Sequence, residues 1–148
     1  MTSHIGRIIN RKYRLTRLIG EGGMGSVFEA EHTLINRRAA IKIMNPEFTS
    51  NREVIERFLR EAQASSSIGH PNIIEIEDVG READGTVYIV MELLTGQNLG
   101  DLLDQKQKLP AGQAVSIILQ VLSALKAAHE KGVIHRDLKP DNLFLSTD

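Results

Sequence analysis

The sequence predicts an α+β fold, in which a five-stranded antiparallel sheet with one inserted helix is followed by the start of a helical region. Two observations predict this order. Apolar and polar residues alternate in five short segments within the first 92 residues, and one segment among them has helical spacing instead. From residue 99 onward helical spacing dominates. We therefore expect two domains, 10–94 and 95–148.

Five segments have the alternation of half-buried strands and are rich in β-branched or aromatic residues. The Asp84-Gly85 pair between the last two segments is a hairpin signal. The inserted helix is predicted over 51–67, because Ser50 and Glu53 have the spacing of a capping box. The predicted strands are 13–19, 26–32, 38–44, 73–79 and 86–92.

Two helices and one strand are predicted in the second domain. A short helix covers 99–106, and Pro110 suits the first turn of a long helix over 111–131. A glycine at position 132 ends that helix. Leu143-Phe144-Leu145 has the character of a short buried strand.

Composition excludes several classes of function. The 148 residues carry a formal net charge of −1, so no nucleic-acid partner is predicted. There is no cysteine, which fits a cytoplasmic location and excludes disulfides. No uninterrupted run of about 18 apolar residues occurs, so no membrane segment is predicted in this chain. A membrane anchor outside this sequence is left open.

The glycines of "GEGGMGSV" have phosphate-binding spacing. Gly20, Gly22 and Gly25 form the pattern G-x-G-x-x-G, which lets backbone N–H groups approach phosphate oxygens. A glycine-rich hairpin turn without a ligand would look similar. A dinucleotide-binding fold requires a helix directly after the glycines, whereas a strand is predicted here.

Lys42 is the first charged candidate, within the predicted strand "AAIK". It is either an edge lysine facing water or a cation directed at phosphates and held by a carboxylate. Glu61, in the inserted helix, is the candidate partner. Taken alone, Glu61 is better interpreted as an exposed helical glutamate.

The loop "HRDLKPDN" concentrates reactive side chains between two apolar segments, an arrangement that a solvated charged run does not explain. Asp137 can accept a proton from a hydroxyl nucleophile. Asn142 offers an amide oxygen to a hard cation such as Mg²⁺. Lys139 can balance charge on a phosphoryl group in transfer.

With these three motifs in this order, the sequence resembles the protein kinase family from Tyr13 to its end. It is most similar to the eukaryotic-like Ser/Thr protein kinases of bacteria. The resemblance implies a kinase N-lobe followed by the start of a helical C-lobe. It also implies ATP and Mg²⁺ as cofactors, and a protein with a Ser or Thr acceptor as substrate.

The resemblance implies a role for each matching residue. Asp137 is the catalytic base, Lys139 assists transfer, Asn142 is a metal ligand, and His135 packs inward. Lys42 holds the α- and β-phosphates and pairs with Glu61. The residues implied to bind ATP are Gly20, Glu21, Gly22, Gly23, Met24, Gly25, Val27, Ala40, Lys42, Glu61, Met91, Glu92, Leu94 and Phe144.

The family's D-F-G motif, whose aspartate binds Mg²⁺, does not occur in these 148 residues. We expect the chain to be about the first half of a kinase domain, inactive by itself and able to self-associate through an uncovered C-lobe surface. The alternative is a naturally short, non-catalytic module that binds a nucleotide or a partner.

Overall fold

The computed structural model describes residues 4–147, so Asp148, the end of the predicted second domain, lies outside it. The α+β prediction is confirmed. The main sheet in the described part of the chain is antiparallel, with the strand order β1-β2-β3-β4-β6-β5. Its strands are β1 (Ile8–Ile9), β2 (Tyr13–Glu21), β3 (Gly25–His32), β4 (Arg38–Met44), β5 (Ile76–Arg81) and β6 (Val87–Met91).

The sheet has one strand more than predicted. Strand β1 is only two residues long and pairs with the start of β2 after a turn through Asn10 and Arg11, whose φ angles are 53° and 57°. An arginine in the left-handed region is uncommon and is no turn signal, so the pattern did not reveal this hairpin. The predicted strand 73–79 was placed too early, because β5 starts at Ile76.

The described residues divide into two compact units. The first comprises the chain up to Ser67 together with Ile74–Leu93, and the second comprises Ile68–Ile73 and the chain from Leu94 onward. In the first unit, α1 spans Arg52–Ser66. Its N-cap is Asn51 and not Ser50, because the Asn51 side chain accepts hydrogen bonds from the backbone N–H groups of Glu53 and Val54.

Both faces of the sheet in the first unit bury apolar side chains, as the alternation along β3, β4 and β6 requires. One face carries a cluster formed by Ile9, Tyr13, Leu15, Phe28, Ala30, Ala39, Ile41, Ile43, Tyr88 and Val90. On the other face, Ile55, Phe58 and Ala62 of α1 pack with Met44, Val87 and Ile89. We call this second group the α1 cluster.

The second unit contains the strand pair β7 (Gly96–Asn98) and β8 (Phe144–Ser146) and the helices α2 (Leu99–Lys106) and α3 (Ala111–Glu130). Strand β7 was not predicted, because its sequence Gly-Gln-Asn has no strand-forming residue. The side chain of Asn98 caps α2 by accepting a hydrogen bond from the Asp101 N–H at 2.7 Å. Pro110 is the N-cap of α3 and not a residue of its first turn.

Helix α3 ends as predicted, before Gly132 with its φ of 75°. Much of its apolar surface is exposed, and Val115, Ile118, Leu119 and Leu122 are each at least half accessible. By length and composition α3 could also cross a membrane, with a mean hydropathy of 1.4 over 18 residues of which 6% are buried. The sequence prediction of a membrane segment required an unbroken run of about 18 apolar residues. Polar residues interrupt α3, so this helix contains no such run although its mean hydropathy is high. Core helices of soluble proteins meet the same criterion of length and composition.

Candidate active site

The glycine turn, residues 22–24, connects β2 to β3 in the first unit. The N–H of Gly22 donates to the carbonyl of Gly25 at 2.9 Å, which closes the turn. A Cβ added at Gly25 would collide with the backbone carbonyl of Ile43, whereas one added at Gly23 would meet nothing within 4 Å. Gly25 is therefore required by the pairing of β3 with β4, and the turn exposes backbone rather than side chains.

Four of the predicted nucleotide-binding residues lie on one face of the sheet. Val27 pairs with Lys42, and Lys42 pairs with Ile89 on β6. Ala40 pairs with Met91 in the neighbouring row. Since cross-strand partners share a face, Val27, Ala40, Lys42 and Met91 share the face on which α1 packs. Ile89, which the motifs did not identify, lies on the same face as Val87 and Met91, because residues two apart along a strand share a face.

Lys42 does not contact its predicted partner. Its Nζ lies 5.4 Å from the centroid of the Phe58 ring of α1, within the range of a cation–π interaction. Glu61 lies one turn further along α1 and is exposed. Within residues 4–147 the ion pairs do not include Lys42 with Glu61. The structure thus places Lys42 beside α1, the helix that carries Glu61, without an ion pair between the two residues in the described part of the chain.

Glu92, predicted to lie in the hinge, is fixed to the start of β5. Its backbone N–H donates to the carbonyl of Glu75 at 3.0 Å, and its Oε1 accepts from the Glu75 N–H at 2.8 Å. This reciprocal pair holds the end of β6 against the segment before Ile76. Leu94, the other predicted hinge residue, is half-buried and belongs to the second unit.

The loop 135–142 brings three predicted residues together in the second unit. Asn142 donates from Nδ2 to the backbone carbonyl of Asp137 at 2.7 Å and to its Oδ2 at 3.3 Å. The Nζ of Lys139 lies 3.8 Å from the same Oδ2. The Asp137 carboxylate is 70% exposed, so it has hydrogen-bonded support and remains accessible to a reactant.

Two neighbouring residues shape this loop. Arg136 has a φ of 69°, a strained conformation for a residue with a long side chain. Nδ1 of His135 accepts a hydrogen bond from the Asp137 N–H at 3.1 Å. His135 is exposed, so the expectation that it packs inward is wrong for this structure: the ring supports the loop from its surface.

Phe144 lies in β8 opposite Asn98, and its side chain is 42% exposed. It lies across Gly96, where an added Cβ would be 3.3 Å from a Phe144 ring carbon. Gly96 has a φ of 140° and approaches the Leu145 carbonyl closely, so only glycine fits there. The Gly96 backbone thereby leaves room for the Phe144 ring.

The donor set of the loop fits part of a magnesium site. Nδ2 of Asn142 is engaged by Asp137, which leaves the amide oxygen of Asn142 for a hard cation. Within residues 4–147, no group of three or more His, Asp or Glu side chains could hold a metal. The described residues therefore supply one oxygen ligand beside an acidic group, and not a complete metal centre.

One buried ionic group was not predicted from the sequence. Glu29 is 6% exposed and accepts hydrogen bonds from Arg17 at 2.6 Å and from Arg38. These two arginines hold the pKa of the Glu29 carboxyl below its usual value, against the effect of burial. The alternation of β3 places Glu29 on the same face as Val27, and that alternation is the signal that could have revealed it.

The α+β fold, the glycine turn and the loop 135–142 are features of a phosphoryl-transfer enzyme, and comparison with known proteins gives the family. Residues 13–148 match the family described as protein kinase domain. This chain belongs to that family.

Named relatives agree with this assignment. The chain is 44% identical to the serine/threonine-protein kinase pkn3 of Myxococcus xanthus over 142 residues, which are 96% of this chain and 26% of the relative. It is 41% identical to the serine/threonine-protein kinase PrkC of Bacillus subtilis, covering 95% of this chain and 22% of the relative. The chain thus spans about a quarter of the length of these curated relatives.

A solved structure with a similar fold is the kinase domain of Mycobacterium tuberculosis PknI, with a TM-score of 0.83 and 30% identity. The similarity covers 99% of this chain and 60% of that domain.

Proposed function

We propose that this chain is the N-lobe (10–94) and the first part of the C-lobe (95–148) of a Ser/Thr protein kinase. The reaction transfers the γ-phosphoryl group of ATP to a Ser or Thr hydroxyl of a protein. The observation that carries the proposal is the convergence of Asn142 and Lys139 on the exposed carboxylate of Asp137. Membership of the protein kinase family and the names of the relatives support it.

In the proposed reaction the acceptor oxygen forms a bond to the γ-phosphorus, and the bond from that phosphorus to the bridging oxygen breaks, releasing ADP. Asp137 accepts the proton of the acceptor hydroxyl. Lys139 balances negative charge on the phosphoryl group. Asn142 holds the Asp137 carboxylate in place and offers its amide oxygen to Mg²⁺, which neutralises phosphate charge when bound.

The residues of the first unit are proposed to bind the nucleotide. Between Gly20 and Gly25, the N–H groups of Glu21, Gly23 and Met24 face the phosphates, while the Gly22 N–H closes the turn onto the Gly25 carbonyl. Lys42 binds the α- and β-phosphates. The backbone of Glu92 bonds the adenine edge, and Val27, Ala40 and Met91 contact the adenine. Leu94 and Phe144, which belong to the second unit, are proposed separately as nucleotide-binding residues. Support comes from the shared face of Val27, Ala40, Lys42 and Met91.

Location and the activity of the isolated polypeptide complete the proposal. The domain acts in the cytoplasm, in keeping with a sequence without cysteine. The polypeptide 1–148, in which D-F-G does not occur, is inactive by itself. A transfer assay on this polypeptide tests the second statement.

The proposal is tested on the complete product of the gene that encodes this chain. We expect Asp137→Asn to lower turnover by on the order of 10²–10⁴ while ATP still binds, because only the proton acceptor is lost. Lys42→Met should impair both phosphate positioning and turnover. The matched control is Asp104→Asn, which removes an exposed carboxylate from α2. Unchanged turnover in Asp137→Asn would contradict the assigned base.

A further inference from the structure

The glycine turn is held at two consecutive carbonyls by the residue that follows β4. The backbone N–H of Asn45 donates to the carbonyl of Met24 at 2.8 Å. The side-chain Nδ2 of the same residue donates to the carbonyl of Gly23 at 3.2 Å. We call these two bonds the Asn45 clamp. Because Lys42 lies three residues earlier, the clamp ties the glycine turn to the strand that carries Lys42.

The side chain of Met24 fixes the tip of the turn from a second direction. It is half-buried and packs against the α1 cluster, which includes Met44, Ile55 and Phe58. The tip is therefore held by its backbone at the end of β4 and by its side chain against α1.

The clamp determines where the N–H groups of the turn point. Every peptide bond in the described residues is trans, so each carbonyl and the N–H of the same peptide unit point in opposite directions. The carbonyls of Gly23 and Met24 are directed at Asn45, so the N–H groups of Met24 and Gly25 are directed away from it. Within residues 4–147, the N–H groups of Gly23 and Met24 donate no hydrogen bond.

We propose that Asn45 is a positioning residue for nucleotide binding, and this rests on the proposed function. Its side-chain bond to the Gly23 carbonyl fixes the peptide unit that joins Gly23 to Met24. The N–H of Met24 is then directed at phosphate oxygens before the nucleotide arrives. A turn that is ordered in advance loses less conformational entropy on binding. Loss of the side-chain bond should weaken MgATP binding and leave the chemical step unchanged.

The test compares wild type, Asn45→Asp and Asn45→Ala in the complete gene product. Aspartate has nearly the shape of asparagine but cannot donate to the Gly23 carbonyl. The control is Asn36→Asp, which makes the same chemical change in the exposed turn between β3 and β4. If Asn45→Asp does not fold, the alanine variant decides the result.

Two measurements are needed. Hydrogen exchange of the nucleotide-free protein should be faster across residues 20–25 in the Asn45 variants and unchanged in Asn36→Asp. The KM for MgATP should rise about two- to tenfold, the effect of one lost hydrogen bond, with kcat unchanged. Unchanged exchange, an unchanged KM, or a fall in kcat at constant KM would each overturn the proposal.

The outcomes also separate this inference from the proposed function. A wild-type protein that transfers no phosphoryl group contradicts the proposed function. In that case, nucleotide-free exchange still decides whether the Asn45 side chain orders the turn.

Discussion

Glu29 shows how one buried carboxylate can depend on two arginines. Its two oxygens accept from Arg17, on β2, and from Arg38, on β4, so the three residues join three adjacent strands across β3. Burial alone would raise the pKa of this carboxyl, but the hydrogen bonds from Arg38 and Arg17 hold the pKa below its usual value. A carboxyl with a lowered pKa stabilises the fold above its unfolded pKa. That contribution is lost as the pH falls through the folded pKa.

We therefore expect Glu29→Gln to lower the melting temperature at pH 7 and to flatten the decrease in stability as the pH falls into the acidic range. Thermal unfolding between pH 7 and pH 3 measures both effects. Glu31→Gln is the control, because Glu31 is an exposed carboxylate on the same strand. Equal acid sensitivity of Glu29→Gln and wild type would show that the arginines do not stabilise the fold through Glu29.

Gly23, in the glycine turn, and Gly25, the first residue of β3, should differ in their tolerance of a side chain. Gly25→Ala places a Cβ against the backbone carbonyl of Ile43, which cannot move without disrupting the pairing of β3 with β4. Overpacking of this kind costs about 1–3 kcal/mol. Gly23→Ala meets open space and should leave the free energy of unfolding nearly unchanged. Chemical denaturation of the two variants checks this, and equal losses would contradict it.

Among the secondary-structure elements, α1 is the one whose position determines whether Lys42 and Glu61 form an ion pair. Lys42 contacts the Phe58 ring, while Glu61 faces solvent. The last turn of α1 contains serines, which are weak helix formers, and its buried residues are Ile55, Phe58 and Ala62. We therefore expect α1 to change its position on the sheet when a nucleotide binds.

We expect MgATP to bring Glu61 to Lys42 and to slow hydrogen exchange in α1. Glu61→Gln should lower kcat/KM by on the order of 10²-fold, because the phosphates lose their positioning. Glu56→Gln is the control, since Glu56 forms an exposed pair with Arg52 on the same helix. The pairing is refuted if both variants have the same kcat/KM as wild type.

Periodicity predicted the longer elements well and the short ones poorly. The bounds of α2 agree, and those of α3 differ by one residue. Strands β1 and β7 are held by backbone pairing to β2 and β8, and such long-range partners leave no local pattern. Asn51 and Ser50 both suit the N-cap position, so the sequence alone does not decide between them, and the structure has Asn51 as the cap.

The motifs predicted which candidate site residues lie close together in the sequence. They did not predict side-chain contacts between distant parts of the chain. Asp137, Lys139 and Asn142 lie within six residues of chain, so their convergence could be expected. The contacts of Glu29 and Asn45 depend on strand register, and β2 has two irregularities in its pairing with β3. Composition and spacing carry no information about such a register.

At the scale of the whole molecule, the exposed apolar face of α3 is the main departure from an ordinary soluble surface. Leu119 is 61% exposed and Leu122 is 54% exposed. Each large side chain left in water costs about 1.5–3 kcal/mol relative to burial. An exposed apolar face of this kind favours contact with another apolar surface.

Residues 1–148 expressed alone should therefore self-associate through α3 or leave 111–145 loosely packed. Leu119→Glu combined with Leu122→Glu should reduce the association measured by size-exclusion chromatography, because it places charge on the contact. Leu34→Glu, in an exposed turn of the first unit, is the control. A wild-type monomer with strong hydrogen-exchange protection throughout 111–145 would contradict this expectation.

Asp137 is proposed to serve phosphoryl transfer to a Ser or Thr hydroxyl. The most direct measurement incubates the complete gene product with ATP labelled at the γ-phosphate and a mixture of protein acceptors, and then identifies the labelled amino acids. We predict phosphoserine or phosphothreonine with wild type and with Asp104→Asn, and almost no label with Asp137→Asn. Label that appears equally with Asp137→Asn, or no transfer to any hydroxyl by wild type, would contradict the claim.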